Sequence, residues 1–289
     1  MTESTVTTHA ADRLVAAIER CGAPVCVGLD PVAAKLPAAV RSGGDELVSI
    51  RAFTLGLLDA VAKHVPCVKI QSACFERYHA PGVALIGELV AAARERGLIV
   101  ILDAKRGDIG ISAEHYAAAV FDDESAADWV TLSPYLGEES LVPFLRAGGG
   151  AFSLVRTSNP DGDRIQSQRL EDGRTVAECV ADLVAGVGRA WVGTCGYSQL
   201  GAVVGATKVE DLEALRERMP QQILLLPGVG AQGACPDDLR SAFHPGGRGA
   251  IVTSSRAIIF ASSGADWATR AAEAAARLAD EIGTIAGCR

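Results

Sequence analysis

The chain has 289 residues, 49% of them hydrophobic, enough for one large core or two modest ones, and 21% charged, as in soluble globular proteins. Its net charge of −8 comes without a basic block, so neither nucleic acid nor an anionic membrane is an expected partner, and a small ligand is. No segment reaches the roughly 18 uninterrupted apolar residues of a spanning helix, and residues 1–10 are polar without a signal-peptide core, which makes the cytoplasm the expected compartment.

A helical stretch at 12–20 precedes the first apolar run, and residues 1–22 read as an N-terminal helical extension. From there short apolar runs alternate with helical periodicity to the end of the chain. The predicted strands are 24–30, 67–71, 98–105, 129–133, 151–157, 201–206, 223–229 and 249–255. Each is almost continuously apolar, the pattern of parallel strands covered on both faces. Helices are predicted at 45–64, 83–96, 112–121, 138–146, 175–189, 209–218 and 265–283. Asp45 and Pro81 supply start signals for the first two, and Gly97 a stop for the second. Eight such units fit a closed (β/α)8 TIM barrel of about 250 residues better than an open doubly wound sheet. The prediction is therefore a single α/β barrel domain over 1–289, with no linker or low-complexity break. Residues 158–174, rich in Asp, Gly, Gln and Arg, follow the fifth strand as a ligand-covering loop or an exposed insertion, and their length favours the former.

In such a barrel the site is built where strands end. The third strand ends in Leu102-Asp103-Ala104-Lys105-Arg106-Gly107-Asp108. Asp103 and Lys105, two apart, point to the same side, and Asp108 follows in a glycine-containing loop able to fold back over them. Burying charge is costly unless each group is paired, so the cluster is either a structural salt bridge or a site that uses its field. Lys69, isolated in the apolar second strand, stands one strand away and favours the site. The first strand ends in Gly28-Leu29-Asp30-Pro31 and the fifth in Arg156-Thr157-Ser158-Asn159-Pro160. The seventh ends in Pro227-Gly228-Val229-Gly230-Ala231-Gln232-Gly233 and the eighth in Thr253-Ser254-Ser255-Arg256. Glycines let backbone N–H groups approach an anion, and loops after strands seven and eight commonly hold phosphate in this fold. Arg256 adds a planar fork for phosphate oxygens. Either feature alone reads as a tight turn or a surface salt bridge; at adjacent rim positions they read as a phosphate pocket. The cysteines form no C-x-x-C pair and the histidines no metal-ligand spacing, so no metal site and no histidine triad is expected.

With these residues in place, the chain resembles the orotidine 5′-phosphate decarboxylases over residues 24 to about 260. The resemblance rests on Asp-x-Lys-x-x-Asp at Asp103, Lys105 and Asp108, on Gly28-Leu29-Asp30-Pro31, and on Val68-Lys69 followed by Phe75-Glu76. Pro227-Gly228-Val229-Gly230 and Ser255-Arg256 complete it, while Thr157-Ser158-Asn159-Pro160 and Gly230-Ala231-Gln232-Gly233 resemble the longer bacterial branch found in actinobacteria. It implies decarboxylation of orotidine 5′-monophosphate to UMP in de novo pyrimidine biosynthesis, with no cofactor. It also implies that Lys105 protonates C6 of the pyrimidine within a charge network completed by Lys69, Asp103 and Asp108, with Asp108 reaching into the neighbouring subunit's site of a homodimer. By the same resemblance Asp30 and Lys69 bind ribose hydroxyls, Ser158 binds the pyrimidine, and Gln232 and Arg256, beside Gly228 and Gly230, bind phosphate. Where the family usually has Thr four residues after the last signature Asp, this chain has Ser112, which keeps a hydroxyl for a ribose contact across the dimer.

The chemistry agrees with that implication. Loss of CO₂ from C6 leaves an in-plane carbanion that the ring π system cannot absorb, so with no cofactor motif the stabilisation must be electrostatic. Two other readings stand beside this one. Related Mg²⁺-dependent sugar-phosphate enzymes, the 3-keto-gulonate 6-phosphate decarboxylases and hexulose phosphate synthases, share the signature. They would need a further rim carboxylate for a hard cation, which Lys69 would repel. A phosphate-ligand binding protein without chemistry ranks lowest, because all four charged residues are present.

Overall fold

The apolar runs become eight parallel strands: β1 Val25–Leu29, β2 Cys67–Gln71, β3 Ile99–Arg106, β4 Trp129–Leu132, β5 Gly150–Arg156, β6 Ser198–Val204, β7 Gln222–Pro227 and β8 Ala250–Ser254. In the computed structural model, which describes residues 9–122, 126–229 and 235–288, each strand pairs with the next and β8 pairs with β1, closing the predicted barrel. Alternation along each strand sorts the core into two parts. Outward residues such as Val25, Val27, Val68 and Val252 pack under the helices. Inward residues, among them Cys26, Cys67, Ile101, Trp129, Phe152, Ile223 and Ile251, fill the lumen. Trp129 and Phe152 stack at 4.5 Å between centroids. Gly150 makes room for that pair, since a Cβ there would lie 2.3 Å from the Trp129 ring.

The N-terminal helix, Ala10–Cys21, closes one end of the lumen. Its buried face, Leu14, Val15 and Ile18, joins the lumen cluster, so the segment is a floor of the barrel and part of its core. Asp12 fastens it to the segment before β6 by accepting from Thr194 Oγ1 at 2.8 Å and Cys195 N at 2.8 Å. Slight burial raises the Asp12 pKa, but the hydrogen bonds from Cys195 and Thr194 outweigh it and hold the carboxyl at about 2. With that end stoppered, the strand C-termini are the open end.

Most element boundaries shift by a few residues from the sequence expectation, and three departures have a local physical reason. The helix expected at 83–96 spans His79–Glu95, placing Pro81 inside its first turn, where a missing N–H costs nothing. The helix expected at 138–146 divides into a 3₁₀ turn, Glu138–Ser140, and a helix, Val142–Arg146. β6 starts earlier than expected, at Ser198, because two buried polar residues lead it. Ser198 Oγ donates to Gly188 O and Gln199 Nε2 to Leu145 O, both at 2.9 Å. Among the described residues, no helix is long and apolar enough to cross a membrane.

Candidate active site

At the open end, β3 departs from ladder geometry. Leu102 pairs with Val130 and Arg106 with Leu132, so Asp103, Ala104 and Lys105 together face the single residue Thr131. The bulge puts Lys105 in the left-handed region at φ 46°, which a residue with a side chain seldom occupies. It also brings both signature side chains into the lumen. Asp103 Oδ1 lies 2.5 Å from Lys105 Nζ and Oδ2 lies 2.7 Å from Lys69 Nζ. Lys69 Nζ is in turn 3.6 Å from Asp30, so acid and base alternate across β1, β2 and β3.

Asp103 is buried, which on its own raises its pKa, but the charges and hydrogen bonds of Lys69 and Lys105 prevail and hold it at about 2. Burial likewise pushes the Lys69 ammonium down, and Asp103 and Asp30 reverse this to a net upward shift. Both groups are thus held charged away from bulk water. Lys105 differs in access: 46% of its side chain is exposed, against 7% for Lys69.

These groups line a cavity of about 510 Å³, a size suited to a small-molecule ligand. Its apolar base is Leu154, Val203 and Leu225, and Ser158 and Asn159 stand at the end of β5. Across it lie Gly228, Ser255 and Arg256. Gly228 takes φ 115°, a conformation open to glycine, and leaves its backbone accessible. Arg256 is exposed at the mouth. Gly28 is small for a steric reason, since a Cβ there would lie 1.9 Å from Ser255 Oγ.

The 158–174 segment both lines the cavity and is tied down behind it. Arg156, 3% exposed, turns away from the cavity and pairs with Asp163 and Asp211, each at 2.6 Å. Gln166 accepts from Thr157 N at 2.8 Å and donates to Thr157 Oγ1 at 2.7 Å, fixing the residue before Ser158.

Asp30, Lys69, Asp103, Lys105, Ser158, Gly228 and Arg256 therefore converge on one cavity, as expected. Asp108 and Ser112 do not line it. The loop expected to fold Asp108 back over its own Asp103 and Lys105 runs the other way. Arg106 pairs with Glu76 at 2.7 Å and stacks on Tyr116, Gly107 packs against Ser133, and Asp108 Oδ1 accepts from Ile109 N at 2.9 Å. Gly230 and Gln232 lie outside the described residues. Sequence reasoning missed Gln71, Thr131 and Gln166, all of which line the cavity. Strand parity with Lys69 marks Gln71, but Thr131 becomes visible only through the β3–β4 register.

Residues 23–271 match the model of the orotidine 5′-phosphate decarboxylase / HUMPS family. The orotidine 5′-phosphate decarboxylase of Rhodopirellula baltica is 43% identical over 279 residues, covering 91% of this chain and 92% of its own. That of Deinococcus radiodurans is 43% identical over 269 residues, covering 91% and 93%. Among solved structures, a putative orotidine 5′-phosphate decarboxylase from Streptomyces avermitilis has a TM-score of 0.85 at 35% identity and covers 99% of both chains. Since these matches run through every strand that contributes to the cavity, the chain belongs to the orotidine 5′-phosphate decarboxylase / HUMPS family.

Proposed function

We propose that this protein decarboxylates orotidine 5′-monophosphate to UMP in de novo pyrimidine biosynthesis, without a cofactor and as a cytoplasmic homodimer. The observation that carries the reading is the alternating Asp30, Lys69, Asp103, Lys105 row at the edge of a nucleotide-sized cavity. In the reaction the C6–carboxyl bond breaks, its electron pair stays on C6 and CO₂ departs. The Lys105 ammonium stabilises that pair through its fixed charge and then gives C6 a proton, regaining one from water. Asp103 holds the ammonium in place, and its own charge disfavours a substrate carboxylate beside it. Lys69 and Asp30 bind ribose hydroxyls, and Ser158 binds the pyrimidine. Arg256 and the Gly228 backbone, with Gly230 and Gln232, take the phosphate.

Asp108 and Ser112 complete the site of a second copy. Their absence from their own chain's cavity supports this, as does the apolar surface beside them, with Ile111 68% and Tyr135 89% exposed. Against a divalent-metal reaction stands the engagement of both Asp103 oxygens by ammonium groups.

The test is turnover of orotidine 5′-monophosphate by EDTA-treated protein, followed by loss of substrate ultraviolet absorbance, with Lys105→Ala in parallel. Turnover in EDTA that the variant loses is the expected result. Turnover that needs Mg²⁺, or that survives in Lys105→Ala, would overturn the assignment.

A further inference from the structure

Thr131 is the β4 residue opposite the β3 bulge, and it is 1% exposed. Its hydroxyl oxygen accepts from Lys105 N at 2.9 Å and its proton goes to Asp103 Oδ1 at 2.9 Å. That same Oδ1 receives Lys105 Nζ, so backbone N, hydroxyl, carboxylate and ammonium form a closed ring. The direction of each bond is forced: an amide can only donate and an ionised carboxylate can only accept, which leaves the hydroxyl one arrangement. The ring sits where the ladder fails, and it stands in for the strand partner that the bulge denies to Lys105 N. It also restrains a residue held at φ 46°, a conformation that persists only where its surroundings over-determine it.

We infer that Thr131 is a positioning residue for the decarboxylation. Its hydroxyl holds the Lys105 backbone in the left-handed bulge and turns Asp103 Oδ1 toward Lys105 Nζ, so that the ammonium is presented to C6 from a fixed place. The inference rests on Lys105 being the proton donor. Thr131→Val keeps the shape and removes both bonds; Thr131→Ser keeps both bonds and removes a methyl.

The experiment measures kcat and KM for orotidine 5′-monophosphate, UMP affinity and Tm for Thr131→Val, Thr131→Ser and Lys105→Ala. Thr131→Val is expected to lose about 100-fold in kcat, the scale of a reacting group displaced by roughly 1 Å. Its KM and UMP affinity should stay within about threefold, as for an interaction that acts in the transition state. Thr131→Ser should recover most of the loss. If Thr131→Val does not fold, Thr131→Ala against Thr131→Ser supplies the same comparison, because that pair differs by the hydroxyl alone. Equal kcat with and without the hydroxyl, or a loss confined to KM, would overturn the inference. Activity in Lys105→Ala would instead overturn the reading beneath it, and the two failures are thereby told apart.

Discussion

Replacing Asp103 by Asn tests whether pairing outweighs burial in the charge row. The carboxyl is held at about 2 against an ordinary 3.8, which corresponds to about 2.5 kcal/mol favouring the ionised form in the folded chain. Because the folded value is depressed, this contribution is present above pH 3.8 and is lost as the pH falls through about 2. Asn abolishes it and leaves Lys69, 5% exposed, with Asp30 at 3.6 Å as its remaining carboxylate among the described residues. Breaking a buried pair on one side costs about 3–5 kcal/mol. The half-exposed Lys105 can turn to water, so its share is discounted and the expected loss is about 3 kcal/mol.

Urea unfolding of Asp103→Asn and the native chain at neutral pH measures this directly, provided the m-values agree. The gap should narrow in acid, with roughly half of the Asp103 contribution left near pH 3, because protonation makes the native side chain resemble the amide. A variant as stable as the native chain, or a gap that does not change with pH, would refute the argument. It would mean that the desolvation of Lys69 and Asp103 had cancelled their attraction.

Two further perturbations probe the ends of the lumen. Deleting residues 1–22 removes the burial of Leu14, Val15 and Ile18, a loss of about 5–9 kcal/mol from those three side chains, and uncovers the lumen residues beneath them. That is comparable to the whole stability of a domain, so the truncated chain should lack a cooperative thermal transition; a native Tm would show that the helix is dispensable. Gly28→Ala drives a methyl into Ser255 Oγ, 1.9 Å away, and must displace Ser255 and its neighbour Arg256. KM for orotidine 5′-monophosphate should rise about tenfold or more, with about 1–3 kcal/mol of stability lost to overpacking; an unchanged KM would mean that this edge does not contact substrate.

The barrel was legible because parallel strands buried on both faces read as apolar runs, and every strand expected from the sequence is present. β6 was misplaced at its start because Ser198 and Gln199 satisfy their polar groups on backbone carbonyls, which no local pattern reveals. Strand parity put Asp103 and Lys105 on one side, and the structure keeps them there, but through a bulge that parity does not contain. Asp108 does not fold back over Asp103 and Lys105 of its own chain, because beyond Lys105 the chain is carried outward by the Arg106–Glu76 pair. Thr131 was illegible since a threonine inside a strand is unremarkable until its cross-strand partner is known.

The lumen changes character over one step along the strands. Cys26 pairs with Cys67, and Cys67 with Ile99; two residues on, Gly28 pairs with Lys69, and Lys69 with Ile101. Two residues further still, Gln71 pairs with Asp103. A layer of thiols and aliphatics thus lies directly beneath the first charge, and the N-terminal helix seals that layer from below. Charges above a dry base interact more strongly than they would in water, because field lines on that side pass through a medium of low polarisability. The glycine in the middle layer leaves room for Ser255 and Asp30, and the carboxylate above gives the lysine its partner. The helix at one end of the barrel therefore belongs to the electrostatics of the other. Water admitted at the floor would reach Lys69 two residues above Cys67 and weaken the row that holds Lys105 in place.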